Sequence, residues 1–464
     1  MSEFSDLFND FPPTSFEEWK TRAEKDLKGK PLSELEHQTS DGIEIHPYYD
    51  QSRSQAMGQP IRTQMGWIMV HEILVEDAHS GNLMALKALN WGASGLLFYV
   101  QDSIDLHTLL KDVMMEHIRI DWVVEGDLEV FMEHLKRVLV ERGLDQGRLQ
   151  GSINHDPVEN ALRTGKWRVN RDSDMAHFNT VNAMAPENYQ TLAVNGNLYQ
   201  NAGATSVQQL AFMLSQAHEY LVRSEDPRPE RIWFNVAVGS SYFEEIAKLR
   251  ALRVLWRNLL NTYELGSGES HIHVETTLRN KTLYDPHTNL LRTTTEGMSA
   301  VIGGCDSLSI KPYSLPYRTG DIFADRLALN QQLIFEYESY LGRVRDVAGG
   351  SYFIEQLTTE MAEHAWTLFK ELESEGGILN AIGTGKIQSL IEGSADEEQK
   401  AYDNGEIALL GMNLYPNREE KKGSMVQHHL VSKTPEAIDL RPVVPRRLSE
   451  MEEEHRLASE NQTA

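Results

Sequence analysis

From about Met65 the chain alternates short apolar runs with amphipathic segments, and this alternation restricts its possible folds more than any other feature. The apolar runs have the length and composition of buried strands, and they read GLLFYV, IDWVV, RLQGSI, TLAVNG, RIWFNVAVG, HIHVETTL and SLSIKPY. Segments with helical periodicity, such as SVQQLAFMLSQAHEYLVRS, separate most of them. Seven or eight such units in about 250 residues predict an α/β fold, a closed (β/α)8 TIM barrel rather than an open doubly wound sheet. Ligand chemistry is then expected at the carboxyl ends of the strands.

The remaining sequence predicts an extended N-terminal arm and a C-terminal helical segment with a tail. We assign residues 1–60 to the arm, 61–320 to the barrel, 321–415 to a helical extension of the barrel and 416–464 to the tail. The tail is charged and contains the segment DLRPVVPRRL, whose proline and arginine content is typical of extended segments.

The arm carries four spaced aromatic residues that a segment of its size cannot bury by itself: Phe4, Phe8, Phe11 and Trp19. A short helix is predicted within SFEEWKTRAEKDLKG, with Thr14 or Ser15 as its N-cap. The aromatic residues either pack on the chain's own barrel or contact a partner subunit, and the sequence supports both alternatives about equally.

The net charge argues against two classes of partner. The chain has 44 basic and 69 acidic residues, a formal net charge of −25, which opposes binding to nucleic acid and to anionic membrane surfaces. The only cysteine, Cys305, suits a reducing compartment and a packing role. The N-terminus has neither the basic nor the apolar region of a signal peptide, and no apolar run approaches the length of a membrane span. We therefore expect a soluble, cytoplasmic protein.

Two motifs resemble ligand sites but predict none. In HIHVE, residues His271, His273 and Glu275 share one face of a strand, but three ligands do not specify a metal, and polar residues lining a barrel mouth are the favoured interpretation. In DPHTNLL, Asp285 and His287 match only the first half of the cobalamin signature D-x-H-x-x-G. No P-loop, dinucleotide fingerprint, G-x-S-x-G, H-E-x-x-H or C-x-x-C is present. The residues alone thus predict a barrel with a pocket and no identified chemistry.

Five segments between about residues 16 and 415 resemble the acyl-CoA mutase family, and the methylmalonyl-CoA mutases in particular. They are FEEWKTRAEKDLKGKPLSELEHQTSDGIEIHPYY, NAGATSVQQLAFMLSQAHEYL, SYFEEIAKLRALRVLW, DPHTNLLRTTTEGMSAVIGGCDSL and RDVAGGSYFIEQLTTEMAEHAW. The resemblance implies a barrel threaded by coenzyme A and an N-terminal arm that wraps a partner subunit. Catalytic members also carry a C-terminal flavodoxin-like cobalamin domain, which we do not expect in this chain.

The resemblance also implies that catalytic groups have been replaced. Catalytic chains read W-T-I-R-Q-Y-A-G-F where this chain reads WIMVHEILV, which places Val70 at the substrate arginine and Glu72 at the catalytic tyrosine. The catalytic chains also read S-G-Y-H before an A-G-A-T that this chain shares. Counting back from A-G-A-T places Leu198 at the position of the histidine that contacts the thioester carbonyl. An aliphatic side chain neither donates a hydrogen bond nor transfers a proton.

Other positions retain the outline of a substrate pocket. GSINHD resembles the family's G-T-x-Q-N-D, with Ser152 and Asn154 at positions that contact the substrate in the family. Arg163 is one sequence position away from the place where the family has a substrate-binding arginine. Arg231 corresponds to an arginine that contacts coenzyme A, and His273 matches a strand histidine. Glu275 replaces a glutamine, and its carboxylate is expected to repel an anionic acyl-CoA.

Taken together, the resemblance implies a small, non-catalytic subunit of a heterodimeric methylmalonyl-CoA mutase. The large partner subunit would hold adenosylcobalamin and convert methylmalonyl-CoA to succinyl-CoA, while this chain binds no metal and no cofactor itself. One alternative is the acyl-CoA-binding half of a split mutase that a separate cobalamin protein completes, and another is a CoA-ester sensor that binds without reacting.

Overall fold

The computed structural model describes residues 14–51, 64–266, 269–422, 426–427 and 434–462. Of the four arm aromatics, Phe4, Phe8 and Phe11 lie outside these residues. Helix α1 (Phe16–Asp26) begins after Ser15, which is one of the two predicted N-cap residues. The Ser15 hydroxyl accepts a hydrogen bond from the Glu18 amide, and the Glu18 carboxylate accepts one from the Ser15 amide.

A short antiparallel ribbon follows, formed by β1 (His37–Gln38) and β2 (Glu44–Ile45). Ile43 and Ile45 belong to the main hydrophobic core, and the Asp41 carboxylate accepts the backbone amide of Val207 at 3.2 Å. This part of the arm therefore packs on the chain's own barrel. Helix α1, in contrast, has no buried residue.

The central sheet contains nine parallel strand segments. They are β3 (Ile68–Leu74), β4 (Gly95–Gln101), β5 (Arg119–Glu125), β6 (Gln150–Ile153), β7 (Tyr189–Gln190), β8 (Leu192–Asn195), β9 (Ile232–Val238), β10 (His271–Thr276) and β11 (Ser307–Ser309). Their order is β7-β6-β5-β4-β3-β11-β10-β9-β8, and every neighbouring pair is parallel.

The sheet closes on itself because β7 and β8 are one strand interrupted at Thr191. The first part pairs with β6 and the second with β9. The Thr191 amide donates to the Arg231 carbonyl at 2.9 Å, and the Ala193 amide donates to the His155 carbonyl at 3.0 Å. The barrel therefore has eight strands, and the predicted (β/α)8 TIM barrel is confirmed.

Helices surround the barrel and continue beyond it. They are α2 (Ala78–Asn90), α3 (Leu106–Leu109), α4 (Leu128–Glu141), α5 (Pro157–Thr164), α6 (Arg171–Met184), α7 (Gly196–Ala202), α8 (Ser206–Arg223), α9 (Tyr242–Thr262), α10 (His287–Gly303), α11 (Ile322–Tyr337), α12 (Tyr352–Ser374), α13 (Gly377–Thr384), α14 (Lys386–Asp403) and α15 (Glu450–Gln462). Four of them, α2, α3, α4 and α11, begin after an aspartate whose carboxylate accepts two amides of the first turn: Asp77, Asp105, Asp127 and Asp321. All seven residues of β9 are buried, as expected for a strand covered by side chains on one face and helices on the other.

The C-terminal segment crosses the carboxyl face of the barrel. The amides of Val443, Arg446 and Leu448 donate to the carbonyls of Leu162, Asn201 and Arg279, at 2.7, 3.0 and 2.9 Å. Each acceptor lies between the end of a strand and the helix that returns to the next strand. Residues 434–462 of the predicted tail thus pack against the barrel and end in helix α15.

None of the helices in the described part of the chain combines the length and the apolar character that crossing a membrane requires.

Candidate functional site

The barrel interior has two sectors, and we call the first the closed sector: Glu72, His273, Glu275, Ser307, Ser309 and Lys311. These residues come from three adjacent strands, because β11 lies between β10 and β3 in the sheet. The register pairs His273 with Ser307 and Glu275 with Ser309. Lys311 follows the end of β11 by two residues.

A lysine between two carboxylates forms the centre of the closed sector. Lys311 Nζ lies 2.7 Å from Glu72 Oε2 and 3.0 Å from Glu275 Oε2. Glu72 also accepts the Ser309 hydroxyl and, at 3.4 Å, the Tyr99 hydroxyl. Asn197 Nδ2 donates to Glu275 Oε1 at 3.1 Å. The network therefore satisfies both carboxylates with groups of the chain itself.

The charges of this network stabilise one another. Burial raises the pKa of Glu72, but the Lys311 ammonium and the bonds from Lys311 and Ser309 outweigh it, so the pKa lies below its ordinary value. Burial lowers the pKa of Lys311, and the carboxylates of Glu275 and Glu72 raise it well above the usual range. At neutral pH Glu72 and Lys311 are thus both charged.

The two histidines of the HIHVE strand form hydrogen bonds to serine hydroxyls. His271 Nε2 lies 2.7 Å from Ser307 Oγ, and His273 Nδ1 lies 2.8 Å from the same oxygen. Burial lowers the pKa of His273 to about 4, so its ring is neutral at pH 7. The other ring nitrogen of His273, Nε2, lies 3.3 Å from Ser309 Oγ, so each ring nitrogen has a hydroxyl partner.

A second buried network lies at β5 and β6. Arg119 pairs with Asp121 at 2.8 Å, and Ser152 Oγ donates to Asp121 Oδ1 at 2.7 Å. All three residues are at most 4% exposed. Ser152 therefore supports Asp121 and does not line the cavity described next.

The second sector, which we call the open sector, is a cavity of about 1240 Å³ at the carboxyl ends of β3 to β6, β8 and β9. The predicted residues Asn154 and Arg163 line it, together with Asn195, Trp233 and Asn235. Asn195 Nδ2 donates to Asn154 Oδ1 at 2.8 Å, and Asn235 Nδ2 donates to Asn195 Oδ1 at 3.2 Å.

Three buried polar atoms of residues that line the open sector have no hydrogen-bond partner among the described residues: His155 Nε2, Trp233 Nε1 and Asn235 Oδ1. Trp233 is 1% exposed and Asn235 is 5% exposed. Within the described part of the chain, neither Trp233 Nε1 nor Asn235 Oδ1 has a hydrogen-bond partner. Because leaving such groups unpaired costs free energy, a ligand or water that accepts from Trp233 Nε1 or donates to Asn235 Oδ1 would be stabilised in the cavity.

The rim of the cavity holds an acid with an altered pKa. Burial raises the pKa of Glu159 to about 7, although Arg163 opposes the shift from 2.9 Å. The Arg163 side chain is 55% exposed, so the guanidinium is accessible from the cavity mouth. Burial lowers the pKa of His155, which also lines the cavity, to about 3.

The remaining predicted positions lie elsewhere. Val70, on β3, is 2% exposed, and its backbone pairs with Ser309. Leu198 lies on helix α7, and its side chain belongs to the main core. Arg231 precedes β9 at the amino end of the barrel and donates to the carbonyls of Pro186 and Tyr189, both at 2.8 Å. Its guanidinium therefore lies at the opposite end from the open sector.

The structure corrects one premise and adds residues that sequence reasoning missed. The argument from repulsion treated Glu275 as an unpaired carboxylate, whereas it is paired with Lys311. Lys311, Arg119 and Asp121 were not singled out, although a lysine directly after the apolar strand SLSI is an available signal. Asn235 offered no such signal, since it is one polar residue within RIWFNVAVG.

Comparison with known proteins identifies similar sequences. The family model described as methylmalonyl-CoA mutase matches residues 90–451. The methylmalonyl-CoA mutase small subunit of Porphyromonas gingivalis is 33% identical over 455 residues, covering 90% of this chain and 72% of the relative. The methylmalonyl-CoA mutase of Cereibacter sphaeroides is 29% identical, covering 86% and 64%. The probable methylmalonyl-CoA mutase small subunit of Mycobacterium tuberculosis is 29% identical, covering 83% and 67%. These matches confirm the resemblance noted in the sequence, and the chain spans about two thirds of the length of these relatives.

Proposed function

Because the chain belongs to the methylmalonyl-CoA mutase family, we propose that it is the small, non-catalytic subunit of a heterodimeric mutase. Its large subunit would bind adenosylcobalamin and isomerise methylmalonyl-CoA to succinyl-CoA. This chain would support the assembly and stability of that subunit, in the cytoplasm.

The observation that carries the proposal is the ion network of the closed sector. Glu72 stands at the position of the catalytic tyrosine, and it is engaged by Lys311, Ser309 and Tyr99. An acyl group entering there would have to break a buried, charge-assisted network, and separating buried charges is costly. At the histidine position, Leu198 offers no group to a thioester carbonyl.

The described residues do not fit a cobalamin-ligating site. Adenosylcobalamin, when bound, supplies a carbon radical by homolysis of its cobalt to carbon bond. In the half-matching D-x-H segment, the His287 ring lies 5.3 Å from the Tyr313 ring, and the Asp285 amide donates to Glu420 at 2.7 Å. Leu290 stands where the signature needs glycine. We derive no reaction step through the cofactor on this chain.

The arm supports an assembly role. Trp19 and Tyr48 stack with their ring centroids 4.6 Å apart, and Tyr48 is 37% exposed. Aromatic residues on an exposed surface are enriched at subunit interfaces. The arm helix, which has no buried residue, is therefore available to contact a partner.

The test is co-purification of this chain with the cobalamin-binding mutase subunit of the same organism, followed by a methylmalonyl-CoA to succinyl-CoA assay. We expect a stable one-to-one complex, turnover by the pair and none by this chain alone. Turnover by this chain with adenosylcobalamin, or with a separate cobalamin protein and no large subunit, would contradict the proposal and favour the split mutase.

A second candidate function is CoA-ester binding without turnover in the open sector. It is favoured by the unpartnered Trp233 Nε1 and Asn235 Oδ1 and by the accessible Arg163. Calorimetric titration of the chain alone with methylmalonyl-CoA, succinyl-CoA and free coenzyme A is expected to give a Kd of about micromolar order for the esters. Asn235→Leu should weaken it about 10-fold, whereas Ser309→Ala, outside the cavity, should not. Absence of heat with all three compounds would eliminate this candidate.

A further inference from the structure

Helix α11 carries apolar side chains on two opposite faces. Its inner face is buried and packs on the barrel, and it includes Ala324, Ala328, Leu329 and Phe335. Its outer face presents Phe323, Ile334 and Tyr337, which are 64%, 44% and 65% exposed. Residues 323, 327, 334 and 337 follow helical spacing, with Leu327 as the fourth member. We call Phe323, Leu327, Ile334 and Tyr337 the α11 stripe.

A barrel helix that faces water has a different outer face. In α4 the exposed positions are mainly charged and include Glu129, Glu133, Lys136 and Arg137. Arg326 and Asn330 also lie on the outer face of α11, but its other exposed positions are apolar, and exposed apolar patches mark interaction surfaces. The outer face of α11 therefore has the composition of a surface that another molecule covers.

The apolar surface extends past the end of the helix. Tyr340 is 51% exposed, and the guanidinium of Arg343 lies 4.1 Å from the centroid of its ring. Stacked tyrosine and arginine are the residue types that contribute most to protein interfaces. On the inner side, Trp67 Nε1 donates to Gln332 Oε1 at 3.1 Å and ties α11 to the start of β3. The stripe is thus presented on a rigid element, which lowers the entropic cost of docking.

We propose that the α11 stripe is a docking surface for the large mutase subunit, an inference that rests on the proposed function. Relatives of this chain are named small subunits, which implies a larger partner. A second copy of the chain fits less well, since it would bring another formal charge of −25 to the same interface.

The test compares the replacement of exposed apolar residues by aspartate within the stripe and elsewhere on the barrel surface. The stripe variant is Phe323→Asp with Tyr337→Asp. The matched control is Val140→Asp with Val222→Asp, because these residues are 63% and 59% exposed on α4 and α8. Binding to the purified large subunit is measured by calorimetry, and the oligomeric state of each chain by light scattering. We expect the stripe variant to bind at least about 100-fold more weakly and the control less than about 3-fold.

Folding of the variants is checked separately by thermal unfolding, and the milder Phe323→Ala with Tyr337→Ala should weaken binding about 10-fold. Wild-type affinity in both stripe variants would overturn the stripe as the docking surface and leave the proposed function intact. Loss of a wild-type homodimer in the stripe variants would also overturn it, since the occupant would be a second copy. If the wild-type chain forms no complex with the large subunit, the proposed function fails, and this inference fails with it.

Discussion

The closed sector and the open sector lie in one barrel, but their polar groups are satisfied in different ways. In the closed sector, the carboxylates of Glu72 and Glu275 both reach Lys311 within 3.0 Å. In the open sector, Trp233 and Asn235 each leave a buried polar atom without a partner in the described part of the chain. One sector completes its own hydrogen bonding, and the other leaves part of it to a ligand or water.

This difference indicates that the closed sector contributes mainly to stability, whereas the open sector keeps polar groups that a ligand can bind. Charged groups at the centre of the closed sector connect side chains of three adjacent strands. The cavity sits on the other side of the axis, where polar atoms remain available. Variants in the two sectors should therefore differ in how much stability they cost.

Lys311→Met should give the largest effect. It leaves Glu72 and Glu275 side by side without a counter-charge, which costs about 3–5 kcal/mol of unfolding free energy. Urea denaturation at pH 7 measures it, with Glu72→Gln and Glu275→Gln added to Lys311→Met as the control. We expect the triple variant to recover most of the loss. A cost below about 1 kcal/mol for Lys311→Met would mean that water screens the network and that the sector is not closed.

Acidification should have the second largest effect on the unfolding free energy, through buried histidines. Burial lowers the pKa of His71 and of His273 to about 4, so below pH 6.5 the unfolded chain binds protons that the folded chain does not. Each of these two histidines should therefore reduce stability by about 2 kcal/mol between pH 7.5 and 5, whereas Glu159 and Glu244, whose pKa burial raises to about 7, oppose this loss. The Glu72 contribution persists above about pH 4.5 and is lost below it. Denaturation series at several pH values on the wild type and on His273→Gln test this; the variant should lose about 2 kcal/mol less over that range, and an equal loss would contradict the assignment.

The sequence predicted the barrel because strand and helix periods alternate locally, and all eight strands are present. It could not predict the helix Gly196–Ala202, since Gly196 and Gly203 signal a turn. In the structure, a Cβ on Gly196 would meet Met213 Sδ, so this glycine permits close packing, and Gly203 ends the helix with a φ of +100°. The pairing of Lys311 with Glu72 joins residues 239 positions apart, which no local pattern reveals.

Ser152 and Asn154, two residues apart on and just after β6, should differ less in the stability that each substitution costs. Ser152→Ala removes a bond of 2.7 Å to buried Asp121 and should cost about 1–2 kcal/mol. Asn154→Ala removes an acceptor of Asn195 at the cavity, where water can replace it, and should cost less than about 1 kcal/mol. Equal losses in urea denaturation would show that the open sector is as dry as the buried Asp121 network, contrary to the difference described above.

Arg163→Ala should have the smallest effect on stability. The pair with Glu159 is partly solvated, since the Arg163 side chain is 55% exposed, and such pairs contribute less than about 1 kcal/mol. The same substitution should still raise the pKa of Glu159 above its value of about 7, because burial raises that pKa and Arg163 is the first group that opposes it. A carbon-detected NMR titration of the glutamate carboxyls measures this, and Arg163→Lys, which keeps the charge, should leave the pKa near the wild-type value. An unchanged pKa in Arg163→Ala would mean that Arg163 turns to solvent and leaves the rim acid unpaired, and Lys166 and Arg168 would then be the basic residues left to attract an anionic ester to the open sector.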